Sequence, residues 1–324
     1  MLENDIFKIN SSEEFERAAL RVFQFQYENV KVYRNFCDFL KVDFSEVNQI
    51  EKIPFLPIQF FKSHQIIARG FPSETIFTSS GTTGSITSKH LVAKPDLYIK
   101  SFTKAFKNQY GDPSKFAILA LLPNYLEREG SSLIYMVDYL IKSSKNEHSG
   151  FYLNDYEALI EKLHFLESKN EKMLLIGVSY ALLDLIEKEN FNLKYIIVME
   201  TGGMKGRRKE MIKEELHNVL ICGFGVKKIH SEYGMTELLS QAYSVGDGIF
   251  ECPPWMKILT RDPENALEFV NGKTGGINVI DLANLYSCSF IATQDLGKTY
   301  DDGSFEILGR FDSSDIRGCN LMVF

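Results

Sequence analysis

KMLLIGVSYALLDLIEKENFNLKYIIVMETGGMKGRRKEMIKEELHNVLICGFGVKKIHSEYGMTE, residues 172–237, alternates short apolar runs with stretches whose apolar residues recur at helical spacing. The pattern predicts strand Lys172–Val178, helix Tyr180–Glu189, strand Tyr195–Met199, helix Lys205–His217 and strand Lys227–Ser231. Alternation of this kind is the signature of a parallel sheet built from crossover units. Each predicted strand leads into a turn of small or polar residues: Gly177-Val178-Ser179, Thr201-Gly202-Gly203 and Tyr233-Gly234-Met235-Thr236-Glu237. Ligands of open α/β sheets bind beyond the carboxyl ends of the strands, so these three turns are expected to converge on one site.

Working outward, the apolar-run pattern begins at Phe116, and what precedes it is different. Phe15, Ala19, Val22, Phe23 and Tyr27 recur at helical spacing, so the first 70 or so residues read as a helical wrapping. It is interrupted at Ile53-Pro54-Phe55-Leu56-Pro57, where the prolines predict irregular chain. After Glu251 the texture becomes antiparallel, with strands expected at Gly276–Leu282, Ser287–Thr293 and Ser304–Leu308, the last entered through the turn Asp301-Asp302-Gly303. No internal repeat or low-complexity segment is seen.

Composition narrows the function classes. A chain of 324 residues with 44% hydrophobic and 13% aromatic content can bury a large core, which sets disorder aside. The net charge of -7 is spread along the chain, and the basic stretch Lys205, Arg207, Arg208, Lys209 alternates with an apolar pattern; nucleic-acid binding gains little support. The five cysteines, Cys37, Cys222, Cys252, Cys288 and Cys319, are scattered with no C-x-x-C spacing, which argues against a disulfide framework and a zinc site and for a reducing cytoplasm. The N-terminus lacks a signal pattern, and the longest apolar runs, such as Phe116–Leu122, fall short of a membrane span, so a soluble protein is expected.

Thr78-Ser79-Ser80-Gly81-Thr82-Thr83-Gly84-Ser85 follows the β-like run Thr75-Ile76-Phe77. Its glycines and hydroxyls suit a loop that folds donors around a phosphate chain, with Lys89 supplying nearby positive charge. Alone it reads equally as a flexible Ser/Gly connection. It is not the usual P-loop, which needs Gly-Lys-Ser/Thr opening a helix.

That loop, followed in order by Tyr233-Gly234-Met235-Thr236-Glu237, Thr293-Gln294-Asp295-Leu296-Gly297 and Gly309-Arg310-Phe311-Asp312, resembles the motif set of adenylate-forming enzymes. Within them the chain is most similar to the acyl-protein synthetases of bacterial luminescence fatty acid reductase complexes, and more distantly to phenylacetate-CoA ligase. The likeness covers most of the chain, including 53–62, Thr201-Gly202-Gly203-Met204-Lys205-Gly206 and 309–322. It implies an α/β fold: the N-terminal domain of an adenylate-forming enzyme, with mixed and parallel sheets, flanking helices and a small antiparallel region. Residues 1–308 would form the AMP-binding domain and 309–324 a hinge and residual segment. Relatives continue for roughly 100 residues beyond the hinge, a domain-sized extension. Here the mobile domain and its lysine are expected to be truncated, as at this end of luminescence-type synthetases.

The resemblance also implies roles. Ser79, Ser80, Gly81, Thr82, Thr83 and Gly84 would hold the ATP phosphates, Gly202 and Gly203 would leave room for adenine, and Tyr233, followed by Gly234, would stack on it. Thr236 and Glu237 would reach the α-phosphate, with Glu237 as a hard ligand for Mg²⁺. Asp295 and Arg310 would take the ribose, and Cys319 would accept the acyl group. His230 is a candidate lining residue and equally a satisfied strand-end histidine. Read singly, Tyr233 suits plain core, Glu237 a helix start and Asp295 a cap. The implied function is an acid–thiol ligase of the long-chain-fatty-acid protein type, using ATP and Mg²⁺ and working with an acyl-accepting reductase or carrier protein. A CoA ligase and a non-catalytic nucleotide-binding subunit are the alternatives.

Overall fold

The computed structural model describes residues 2–79, 87–122, 130–202, 204, 207–209 and 211–311. The chain divides into two compact units: one is Phe102–Gly234 with Gln241–Phe250, and the other gathers the residues before Phe102, Met235–Ser240 and those from Glu251 onward.

The first unit is built on a parallel sheet in the order Gly150–Phe151, Ala117–Leu121, Met173–Val178, Ile196–Thr201, His230–Tyr233. Ala242–Ser244 then joins antiparallel to His230–Tyr233. Every residue of Ala117–Leu121 and Met173–Val178 is buried, as expected of strands covered on both faces. Register pairs Val178 with Thr201 and Thr201 with Glu232, so three carboxyl ends lie level with one another. The strand expected at Lys227–Ser231 forms at His230–Tyr233, because Lys227 and Lys228 stay in solvent while polar His230, Ser231 and Glu232 are buried. The helix expected at Lys205–His217 is Lys213–Phe224. Leu216, Leu220 and Phe224 form its buried stripe, and Gly225, at φ 66°, ends it in the left-handed conformation that glycine adopts without strain.

The second unit carries antiparallel strands in the order Phe269–Val270, Met256–Arg261, Gly275–Asp281, Phe290–Thr299, Phe305–Arg310. Phe290–Thr299 runs past the expected end at Thr293, because Thr293, Asp295, Gly297 and Thr299 continue the buried side of the alternation. Leu56–Pro57, expected to be irregular, pairs parallel with Ile291 and Ala292. Pro57 donates nothing, but the next N–H, Ile58, bonds Ala292 O at 2.9 Å. Helix Ser12–Asn29 starts at Ser11, whose hydroxyl accepts from Glu14 N–H at 3.2 Å, and buries Phe15, Ala19, Val22 and Phe23. Its Gln26, fully buried, donates to Asn284 O and Leu285 O at 3.1 and 2.9 Å and accepts from Ser289 N–H at 3.0 Å. That fastens the 284–289 turn. No described helix is long and apolar enough to cross a membrane.

Candidate active site

In the unit with the antiparallel strands, Thr75–Thr78 and Lys89–Val92 form a hairpin. Ser79 and Ser88 close its neck: Ser79 N–H donates to Ser88 O at 3.1 Å, and Ser88 N–H to Ser79 Oγ at 2.9 Å. Ser80, Gly81, Thr82, Thr83 and Gly84 lie outside the described residues. Alternation past the neck buries Ser88 and His90 and leaves Lys89 exposed. Ser88 hydrogen-bonds the carboxyl of Glu237, which is only 5% exposed. Burial pushes the Glu237 carboxyl up from the usual range, against the opposing pull of Ser88 and of the Arg310 and Lys62 charges.

The backbone under Glu237 is also held. His90 Nδ1–H donates to Thr236 O at 2.8 Å and Asn284 Nδ2 donates to Glu237 O at 2.7 Å. Asp281, fully buried, accepts from Leu239 N–H at 2.7 Å, Ser240 Oγ at 2.6 Å and Ala283 N–H at 3.1 Å, tying 235–240 to the 281–284 turn. Burial pushes the Asp281 carboxyl up to about 6 even against these donors. Asp295, 7% exposed, accepts from Arg310 Nε at 3.0 Å, and its own N–H donates to Thr293 Oγ1 at 3.1 Å. Arg310 is otherwise open, its side chain 75% exposed. Hydrogen bonds thus link Ser79 to Glu237 through Ser88, and Asp295 to Arg310, whose charge acts on Glu237; Thr236 lies in the same turn as Glu237.

In the parallel-sheet unit, Gly202 sits at φ 70° and its carbonyl accepts from Ser179 Oγ at 2.6 Å, while Gly203 is outside the described residues. Two of the expected turns thus meet. Tyr233 is buried with its ring edge-on to Phe250, centroids 6.0 Å apart. Gly234 leaves no space for a side chain, since a Cβ there would lie 2.4 Å from Glu232 Oε1. His230 packs against Tyr110, whose hydroxyl is 3.3 Å from Nδ1, and burial, then Lys228, lowers it to about 4. It is a neutral ring.

Two further carboxylates stand beside these turns. Burial would raise Glu200, but Lys213 at 2.6 Å, with His217, Ser231 and Ser179, brings it down to about 2. Among the described residues Glu232 has no such cation in contact; burial raises it to about 7, against a 2.5 Å hydrogen bond from Thr201 Oγ1. One cation shared between two buried acids ionises the nearer and leaves the other its proton.

Ser88, His90, Asn284, Lys62, Glu200 and Glu232 were not singled out by the sequence. Ser88 and His90 flank the chosen Lys89, and strand alternation was the available signal for them. Asn284 and Lys62 are distant in sequence and carried none.

Among the described residues no group of three or more His, Cys, Asp or Glu side chains is placed to hold a metal by itself. A lone buried carboxylate fits Mg²⁺ that brings phosphate oxygens and waters with it, which is how that ion is commonly held. Cys37 and Cys288 are buried, and burial pushes both thiols up, Cys37 to about 12. Burial also raises Cys252, Cys222 is exposed, and Cys319 lies outside the described residues.

Comparison with solved structures places this fold among adenylate-forming ligases. A 2-hydroxyisobutyryl-CoA ligase, solved in an open conformation with 2-HIB-AMP and CoA, superposes with a TM-score of 0.68 at 15% identity, over 94% of this chain and 72% of that one. ATP-bound MatB from Rhodopseudomonas palustris gives 0.55 at 17% identity over 75% of this chain and 49% of that one, so the match spans about half of MatB. No curated protein sequence matches significantly. The model of the family described as acyl-protein synthetase, LuxE, matches residues 7–324, and the chain belongs to that family.

Proposed function

We propose that the protein uses ATP and Mg²⁺ to activate a carboxylic acid, a fatty acid, as acyl-AMP with release of pyrophosphate, and then passes the acyl group to a protein cysteine thiol, Cys319. The observation that carries this reading is the buried Glu237 carboxyl, hydrogen-bonded to Ser88 at the neck of the hydroxyl/glycine loop and faced by the charges of Lys62 and Arg310. Membership of an acyl-protein synthetase family supports the acyl chemistry.

In the first step a carboxylate oxygen of the acid attacks the α-phosphorus, and the bond to pyrophosphate breaks. The chain's task is to hold charge on the phosphoryl oxygens with donors already in place. The Ser79–Gly84 loop and Lys89 serve the phosphates, and Thr236 the α-phosphoryl group. Glu237 would hold the Mg²⁺, which when bound neutralises charge on the leaving pyrophosphate. Asp295, fixed by Arg310, takes the ribose hydroxyls. Gly202, Gly203, Tyr233 and Gly234 take the adenine, and neutral His230 lines the acyl side. In the second step the thiolate attacks the acyl carbonyl carbon and AMP leaves.

Residues 1–308 act in this reading as the AMP-binding domain and 309–324 as the hinge and the segment bearing Cys319. The natural partner is an acyl-accepting reductase or carrier protein. Free thiols at the four described cysteines support a cytoplasmic setting.

The test is to incubate protein, ATP, Mg²⁺ and labelled long-chain acid and measure protein-bound label released by neutral hydroxylamine. Wild type is expected to carry such label, and Cys319→Ser to lose it while still exchanging pyrophosphate, because activation and transfer are separate steps. Equal label in the variant moves the acceptor elsewhere. Label leaving as a soluble thioester when CoA is added makes CoA the acceptor instead.

A further inference from the structure

We propose that His90 and Asn284 are positioning residues for acid activation: a side-chain brace that fixes the two successive carbonyls of Thr236 and Glu237, and with them the directions of the Thr236 hydroxyl and the Glu237 carboxyl. The proposal rests on the acid-activating reading above for its kinetic consequence, but not for its geometry.

Both side chains are fully buried, where polar groups persist only if hydrogen-bonded. Two hydrogen bonds from adjacent side chains converge on successive carbonyls of the turn. Thr236 O accepts from His90 Nδ1–H at 2.8 Å, His90 Nε2 meets Asn284 Oδ1 at 2.9 Å, and Asn284 Nδ2 donates to Glu237 O at 2.7 Å. A carbonyl oxygen only accepts, so the ring proton that makes the first bond resides on Nδ1. Burial lowers His90 to about 4, leaving a neutral ring with one N–H. Thr236 claims that proton, so Nε2 and Asn284 Oδ1 are both acceptors and their approach is a packing contact; the hold on the turn comes from two separate hydrogen bonds, one from each side chain. A neutral ring adds no charge to the phosphate side, so its contribution is geometric.

The brace is anchored at both ends. His90 lies two residues after Ser88, which bonds the Glu237 carboxyl, so one short stretch of chain fixes both the backbone and the side chain of Glu237. Phe61 packs edge-to-face on the His90 ring at 5.6 Å. Asn284 ends the turn capped by Asp281, and its own carbonyl accepts from Gln26 at 3.1 Å. A histidine and an asparagine needed only for packing have no reason to hold consecutive carbonyls, Thr236 O and Glu237 O, of the turn that carries the proposed reactive residues.

The isosteric pair His90→Asn and His90→Gln separates the two links, since the asparagine amide replaces the Nδ1 side of the ring and glutamine the Nε2 side. Acid-dependent pyrophosphate exchange is measured against Mg²⁺ and ATP concentration, together with the thermal midpoint. His90→Asn is expected to stay near wild type. His90→Gln and Asn284→Ala are expected to raise the half-saturating Mg²⁺·ATP concentration by roughly tenfold, the effect of one broken buried hydrogen bond, at a thermal midpoint matched to His90→Asn. Equal losses in Asn and Gln variants that follow the thermal midpoint would overturn the positioning role, as would no loss in Gln. If wild type exchanges pyrophosphate with no acid, the acid-activating reading fails separately. The brace is then decided on the wild-type protein by ¹⁵N NMR of the His90 ring: a protonated Nδ1 coupled to the Thr236 carbonyl supports it, and an Nε2-protonated ring overturns it.

Discussion

Glu200, Glu232 and Glu237 are each less than a tenth exposed, yet burial has a different outcome at each because their neighbours differ. Lys213 keeps Glu200 ionised. Among the described residues Glu237 is met by the Ser88 hydroxyl, a backbone N–H and the more distant charges of Arg310 and Lys62, and burial raises it. Glu237→Gln is therefore expected to keep the fold and remove most acid-dependent pyrophosphate exchange, at least tenfold, since an amide is a poorer Mg²⁺ ligand; near-normal exchange at ordinary Mg²⁺ speaks against the assignment. Glu232 offers a prediction in stability rather than activity. Its folded-state value of about 7 stands above the usual 4.5, so the native state binds the proton more tightly than the unfolded chain does. The associated stability is full below about pH 4.5 and is lost as pH rises through about 7, on the order of 3 kcal/mol in all. Denaturant midpoints measured from pH 4.5 to 8 should fall less steeply for Glu232→Gln than for wild type, and parallel profiles would count against a protonated Glu232. At this scale the sequence draws attention to a residue that sits inside a recognisable motif, as with Glu237 and Asp295, both of which are buried. It was not legible for Glu232 or His90, whose roles come from what lies beside them across strands.

Helix Lys213–Phe224 shows why an element can be recognised yet misplaced. The alternation of Lys205, Arg207, Arg208 and Lys209 with apolar residues mimics an amphipathic start, but residues 207–209 and 211–212 are not helical and the buried stripe begins at Leu216. The stop signal was present in the sequence as Gly225. A Cβ there would lie 2.6 Å from Phe191 O and 2.7 Å from Asn192 Cα, in addition to the cost of a positive φ. Gly225→Ala is expected to destabilise by about 2 kcal/mol, read from denaturant midpoints, and a neutral effect would mean the helix end can rearrange. Strand Phe290–Thr299 failed in the other direction. Its second half is polar, so hydrophobic periodicity ended at Thr293, while the pairing with Phe305–Arg310 that brings Asp295 opposite Arg310 extends the strand. That pairing yields a further prediction. Asp295→Ala is expected to weaken ATP severalfold by calorimetry while leaving the response to acid concentration unchanged, because it removes the proposed ribose contact and the Arg310 pairing and nothing on the acid side. Unchanged ATP affinity would free Asp295 for a purely structural pairing with Arg310.

Over the whole molecule, the order of four short motifs carried more than any one of them, and the family match covers residues 7–324. What the order did not disclose is how the chain is partitioned. The Tyr233–Glu237 turn gives Tyr233 and Gly234 to one compact unit and Thr236 and Glu237 to the other, a division set by long-range pairing that leaves no local mark in the sequence. The acid's identity was equally illegible, because aliphatic and aromatic richness permits an apolar pocket without fixing its depth. The most direct measurement of the central claim is ATP–pyrophosphate exchange with saturating Mg²⁺ across a panel of carboxylic acids from short to long chain. The account predicts exchange that depends on added acid and is strongest with long-chain fatty acids, and exchange with none of them would contradict it and leave a nucleotide-binding subunit without acid activation.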